Sequence, residues 1–295
     1  MKKVLLFVVT IFFLKSCDNE SGKAISVSCY LNQNAEIIVH DEENREYILY
    51  VPNSYDGLSP VPLMMNFHGY GGTASEYMRY ADLRHVADEN TFILVYPQGS
   101  CLDGIPHWNP CLSGEDNKSS SDDLGFVEAL INEISSEYII DMERIYAAGF
   151  SNGGMMSYGL ANYKSELIAA VASVSGVMLD CGGFISHPIP ILHLHGTSDD
   201  VIPYEGSDFY LSAQNVLDYW IDFNNTNTNP TVSFETNNGR TIEHYVYDQG
   251  DNNVSVEHYK YIQGDHSWFS SIYQAKTSAE LIWDFVSSYD INGLR

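Results

Sequence analysis

The sequence predicts an α/β fold in which a mostly parallel central sheet carries helices on both faces. Three observations predict it. From Tyr47 onward, β-rich segments alternate with amphipathic segments of helical length, the order in which strands and crossover helices follow one another in such sheets. Several of the β-rich segments, such as Phe92-Ile93-Leu94-Val95-Tyr96, are apolar almost throughout, as strands covered on both faces are, whereas a half-exposed strand alternates. The pentad Gly149-Phe150-Ser151-Asn152-Gly153 joins a strand-like run to a helix-like one. A turn that tight leaves no room for β-carbons on either side of the serine.

Taken in order, the chain opens with Lys2 and Lys3, then an apolar run over residues 4–14 that ends in Leu14-Lys15-Ser16-Cys17. The run is too short to span a bilayer and has the charge order of an export signal. It resembles a bacterial lipoprotein signal, in which Cys17 would be acylated and become the first mature residue; a plain secretory signal is the alternative. Residues 1–16 are therefore expected to be a lipoprotein-type export signal, residues 17–34 an N-terminal tether and residues 35–295 a single catalytic domain.

Strands are expected at 47–51, 63–67, 92–96, 144–148, 169–174, 189–195 and 256–262, and helices at 75–89, 122–137, 208–223 and 278–287 besides the one opened by Ser151-Asn152. Asp122 and Asp123 stand at a helix start, so they read as caps rather than as an acid and base pair. The segment 98–121, rich in Gly, Pro, Ser and Asn around Trp108, is a long loop of the kind that lines a site. The Asn-rich tract 224–230 reads as a surface connection.

Composition narrows the partners. An apolar share of 44% suffices for a core, and 14 basic against 39 acidic residues give a formal charge of -25. Such a surface repels phosphate backbones, which excludes nucleic acid and favours neutral substrates. Membrane contact is expected only through a lipid on Cys17. Once that residue is set aside, Cys29, Cys101, Cys111 and Cys181 remain, an even number in a chain bound for an oxidising compartment. Three pairings are open; the short spacing suggests Cys101 with Cys111, leaving Cys29 with Cys181. No Cys-x-x-Cys pair or His-x-x-x-His helix indicates a metal.

A serine hydroxyl is a weak nucleophile at neutral pH, so Ser151 needs a base and a residue that orients the base. The expected strand 189–195 runs into Gly196-Thr197-Ser198-Asp199-Asp200, and the strand 256–262 into Gln263-Gly264-Asp265-His266. Both turns lie at carboxyl ends of strands, where open α/β sheets hold their ligands. The chain order Ser151, Asp199, His266 is that of the α/β-hydrolase fold. Asp200 is an alternative to Asp199 on the residues alone. His193 and His195 alternate within a strand and read as packed or hydrogen-bonded. For the oxyanion, the donors expected are the Asn152 N–H and the Tyr70 N–H in the His68-Gly69-Tyr70-Gly71-Gly72 loop. Trp108, Tyr204 and Trp268 are the aromatic residues expected near a substrate pocket.

With these motifs assembled, most of the chain resembles the secreted polyhydroxybutyrate-depolymerase-like and feruloyl-esterase-like α/β-hydrolases, the group containing carbohydrate esterase family one. The resemblance runs through residues 47–52, the His68 loop, Val95-Tyr96-Pro97-Gln98-Gly99, Asp122-Asp123-Leu124-Gly125-Phe126, the Ser151 pentad, residues 195–204 and Gly264-Asp265-His266-Ser267-Trp268. It implies Ser151 as nucleophile, Asp199 as acid and His266 as base, in an ester hydrolysis that needs no metal or organic cofactor. Two departures stand out: Asp200 falls where many relatives have proline, and Tyr70 where they often have cysteine. The implied substrates are feruloyl or acetyl esters on polysaccharides. The alternatives are a polyhydroxyalkanoate depolymerase and, in another class, an inactive hydrolase fold that binds glycans.

Overall fold

The computed structural model describes residues 29, 34–112, 117–237, 239–270 and 272–295. The expected export signal, Cys17 and all of the expected tether except Cys29 and Asn34 lie outside the described residues. No helix among the described residues is long and apolar enough to cross a membrane.

The strands are β1 (Glu36–His40), β2 (Glu43–Tyr50), β3 (Val61–Phe67), β4 (Ile93–Pro97), β5 (Ser100–Leu102), β6 (Ile105–His107), β7 (Ile140–Phe150), β8 (Ala170–Val174), β9 (Ile191–Gly196), β10 (Thr231–Asn237), β11 (Arg240–Tyr247) and β12 (Val256–Tyr261). Ten of them form one sheet in the order β1-β2-β4-β3-β7-β8-β9-β12-β11-β10. The six strands from β4 to β12 in that order run parallel, as expected of an α/β-hydrolase. Antiparallel strands flank them: β1 and β2 on one side, β11 and β10 on the other. The strand expected at 47–51 is thus antiparallel to its neighbour, and the hairpin of β10 and β11 was not expected.

The helices are α1 (Ala74–Tyr80), α2 (Arg84–Asn90), α3 (Asp123–Glu137), α4 (Asn152–Tyr163), α5 (Ala213–Phe223) and α6 (Ser278–Val286). Period-two alternation divides the strand side chains between two apolar layers. Leu63, Met65, Ile93, Val95, Ile145 and Ala147 face the layer that holds Leu130, Met156 and Trp220. Met64, Leu94, Tyr96, Tyr146 and Ala148 face the layer of Tyr77, Val86, Ile282 and Trp283.

Four expectations need correction. The helix expected at 75–89 breaks between α1 and α2, because the buried Tyr96 hydroxyl donates to the Ala81 carbonyl and accepts from the Leu83 N–H. The helix expected from 208 starts at Ala213, where the Ser212 side chain accepts from the Asn215 N–H. Asp122 does cap α3 through the Gly125 N–H, but Asp123 is buried in an ion pair 2.6 Å from Arg45 Nη2. Asn224, expected on the surface, is buried and holds both the N–H and the carbonyl of Ile189.

The disulfides also differ from the expected pairing: Cys29 joins Cys101, and Cys111 joins Cys181. The short hairpin of β5 and β6 and the chain that returns from it carry Cys101 and Cys111 to different neighbours.

Candidate active site

Ser151 stands between β7 and α4 with φ 55° and ψ -121°, a backbone conformation that side chains rarely adopt. The flanking glycines permit it. A β-carbon on Gly149 would lie 2.2 Å from the Gly153 carbonyl oxygen, and one on Gly153 would lie 2.0 Å from that of Phe67. The turn leaves the Ser151 side chain facing the loop that follows β12. There the hydroxyl donates to His266 Nε2 at 3.0 Å, and His266 Nδ1–H donates to Asp199 Oδ2 at 2.8 Å.

The loops that bring these residues together are tied to each other. The Thr197 N–H bonds the Tyr261 carbonyl, the Ser198 N–H bonds the Gly264 carbonyl, and the Gln263 N–H bonds the Thr197 hydroxyl. Their close approach requires Gly196, where a β-carbon would meet the Gly264 carbonyl oxygen at 2.3 Å. The Asp199 carboxylate is buried. Burial alone would push its pKa up, but hydrogen bonds from His195 and His266 and from the Ile202 N–H hold it well below the carboxylate range. Asp200 is exposed and makes no such contact among the described residues, which favours Asp199 as the partner of His266.

The loop of the expected oxyanion donor Tyr70 approaches Ser151 at Gly69, where a β-carbon would lie 3.4 Å from the Ser151 β-carbon. The Asn152 N–H is the first of α4, where helical N–H groups have no intrahelical acceptor, and the Tyr70 N–H makes no backbone hydrogen bond among the described residues. His68 fixes the Tyr70 loop. Its Nδ1–H donates to the Gly69 carbonyl at 2.7 Å, while its Nε2 accepts from the Gly99 N–H at 2.9 Å and from Gln98. Burial lowers the His68 pKa to about 4, so the ring is neutral at neutral pH.

Trp108 corrects the pocket expectation. It is fully buried, its ring edge-on to Phe67, so it offers no face to a substrate. Its backbone N–H and carbonyl are clamped by the Asn152 side chain, and its indole N–H donates to the His68 carbonyl at 3.0 Å. Trp108 thereby ties together the segments that carry Tyr70 and Asn152. Tyr204 is buried as well, its hydroxyl on His258 Nε2 and its ring edge-on to His195. Only Trp268 of the three stays half-buried, two residues after His266, its backbone N–H donating to the Tyr80 hydroxyl. Phe150, 4.8 Å between ring centroids from His266, and Tyr80 add to that aromatic wall; Phe150 was legible as the residue before the serine.

Among the described residues one group of side chains could hold a cation: His40, Asp41 and Asp122, with ligand atoms within 4.8 Å of one another. It lies at the end of β1 and the start of α3, outside the loops that carry Ser151, Asp199 and His266.

Comparisons with known proteins find esterases. The model of the family described as phospholipase/carboxylesterase matches residues 59–230. The chain is 30% identical over 250 residues to the bifunctional acetylxylan esterase/xylanase of Neocallimastix patriciarum, covering 84% of this chain and 34% of that one. It is 30% identical over 202 residues to "Probable feruloyl esterase C" of Aspergillus niger, covering 68% of this chain and 72% of that one. The chain thus spans about a third of the first relative's length. Among solved structures, the acetyl xylan esterase from Aspergillus awamori superposes with a TM-score of 0.62 at 16% identity, over 86% of this chain and 98% of that one; this is a likeness of fold.

Proposed function

The chain belongs to the phospholipase/carboxylesterase family, and from that premise we propose that it is an exported serine esterase acting on feruloyl or acetyl esters of polysaccharides. The observation that carries the reading is the unbroken line from Ser151 Oγ through His266 to Asp199, with links of 3.0 and 2.8 Å. His266 Nε2 takes the Ser151 proton as Oγ attacks the ester carbonyl, and the N–H groups of Tyr70 and Asn152 receive the oxyanion. His266 then returns the proton to the departing alcohol. Water, deprotonated by the same nitrogen, releases the acid from the acyl-serine. Asp199 holds the His266 tautomer and stabilises its cation.

The relatives named for acetylxylan and feruloyl esterase activity support the substrate class, and the aromatic wall of Trp268, Tyr80 and Phe150 suits a feruloyl ring or a sugar face. The same reading takes residues 35–295 as one catalytic domain behind an export signal. The two disulfides support an oxidising destination.

The test is product release by the purified protein from feruloylated and acetylated xylan and from hydroxybutyrate oligomers. Ferulate or acetate is expected, and Ser151→Ala abolishes it. Release of hydroxybutyrate alone would move the assignment to the polyester-cleaving alternative. Silence on all three, or undiminished turnover in Ser151→Ala, would end the reading.

A further inference from the structure

Asp199 is held from two sides. His266 Nδ1 meets its Oδ2 from the rim, while His195 Nε2 lies 3.2 Å from the same oxygen from within the core. The other oxygen, Oδ1, accepts the Val201 and Ile202 N–H groups. His195 is one end of a fully buried chain: His195 Nδ1 lies 3.2 Å from His193 Nε2, and His193 Nδ1 lies 2.8 Å from the Tyr158 hydroxyl.

The direction of this chain follows from its acceptors. Among the described residues His195 Nε2 faces the Asp199 carboxylate and, at 2.9 Å, the Ile202 carbonyl; neither can donate, so Nε2 carries the proton. From the other end, the Tyr158 hydroxyl has His193 Nδ1 as its hydrogen-bond partner among the described residues and donates to it, so His193 carries its proton on Nε2 and donates to His195 Nδ1. Burial holds His193 well below its ordinary pKa, so its neutral form is the one present.

We propose that His195 is a positioning residue for the esterase site, donating to the Asp199 oxygen that His266 also uses and so setting how much of the carboxylate's charge reaches His266. The proposal rests on the Ser151, His266 and Asp199 reading above. Tyr158, from α4, fixes the tautomers of the chain. The other titratable or charged groups around it are His258 and Lys260 on β12 and Tyr204, whose hydroxyl bonds His258.

Without the His195 donor, Oδ2 becomes a stronger partner for His266, and the imidazolium form of His266 is favoured. The acid limb of the activity profile must then move to higher pH. A loosened carboxylate must also orient His266 less well.

The experiment is kcat and KM against pH on a chromogenic acetate ester, for the wild type, Ser151→Ala, His195→Leu, His195→Gln and Tyr158→Phe. His195→Leu is expected to move the acid limb of kcat/KM up by about half to one pH unit, and to lower plateau kcat about tenfold at little-changed KM. His195→Gln, which returns an N–H toward Asp199, restores the limb. Tyr158→Phe shifts it in the same direction by less, and decides the matter alone if His195→Leu does not fold. An unmoved limb in the folded variants, beside an active wild type, overturns the inference and leaves the esterase reading intact. An inactive wild type, or an active Ser151→Ala, overturns both.

Discussion

Asn152 has two separable duties at the site. Its backbone N–H opens α4, where no intrahelical acceptor is available, while its side chain clamps the backbone of Trp108 through both Oδ1 and Nδ2. Asn152→Ala keeps the first and removes the second. Steady-state kinetics are expected to show kcat lowered about tenfold, equivalent to about 1.4 kcal/mol of transition-state stabilisation, with KM little changed. Gly153 permits no such separation. A methyl group there would meet the carbonyl oxygens of Phe67 and His68 at 2.0 and 2.6 Å, so Gly153→Ala must displace the Tyr70 loop or the elbow itself. Loss of soluble, active protein is the expected outcome, seen as reduced yield and an early thermal transition.

At the scale of elements, the buried pair of Arg45 and Asp123 fastens β2 to α3 and to the segment that follows β4. Asp123 accepts from Arg45 and the Ser100 hydroxyl at 2.6 Å each, and from the Asn109 N–H at 2.8 Å. Arg45→Met leaves that carboxylate buried without its cation, and urea unfolding is expected to register a loss of about 3–5 kcal/mol. Such a pair is illegible in sequence, where Asp123 has the look of a helix cap. Several of the parallel strands, such as β4 and β8, were legible because they are apolar almost throughout, and the placement of Ser151, Asp199 and His266 because each follows the carboxyl end of an expected strand. The hairpin of β10 and β11 was missed because Thr231–Asn237 is mostly exposed and polar, so a reading that follows apolar runs passes over it. The break before α2 depends on Tyr96, and the burial of Trp108 depends on where a long loop returns. Neither has a local signature.

At the scale of the whole molecule, three buried histidines and one carboxylate push the acid response the same way. Burial lowers the pKa of His68 to about 4 and of His258 to about 3, and takes His193 well below its ordinary value. The unfolded chain takes up these protons near pH 6.5 and the folded one does not, so stability falls as the pH drops from about 6.5 through the folded values. Asp199, whose pKa is depressed in the fold, contributes above about pH 4 and loses that contribution below it. Thermal unfolding is expected to be flat above about pH 7 and to decline steeply toward pH 4, by several kcal/mol in all. Repeating the series in concentrated salt screens the surface carboxylates but leaves this decline in place. The two crosslinks have a consequence for how the molecule matures. Cys101 and Cys111 stand ten residues apart in the chain, whereas their true partners lie 72 and 70 residues away. Closing the short ring first is easier by about 1.7 kcal/mol of chain entropy, so a reduced, unfolded chain is drawn on oxidation toward a mispaired species. The yield of native protein on oxidative refolding then depends on how fast sulfur exchange can rescue that species, so a thiol–disulfide shuffling catalyst is expected to raise it.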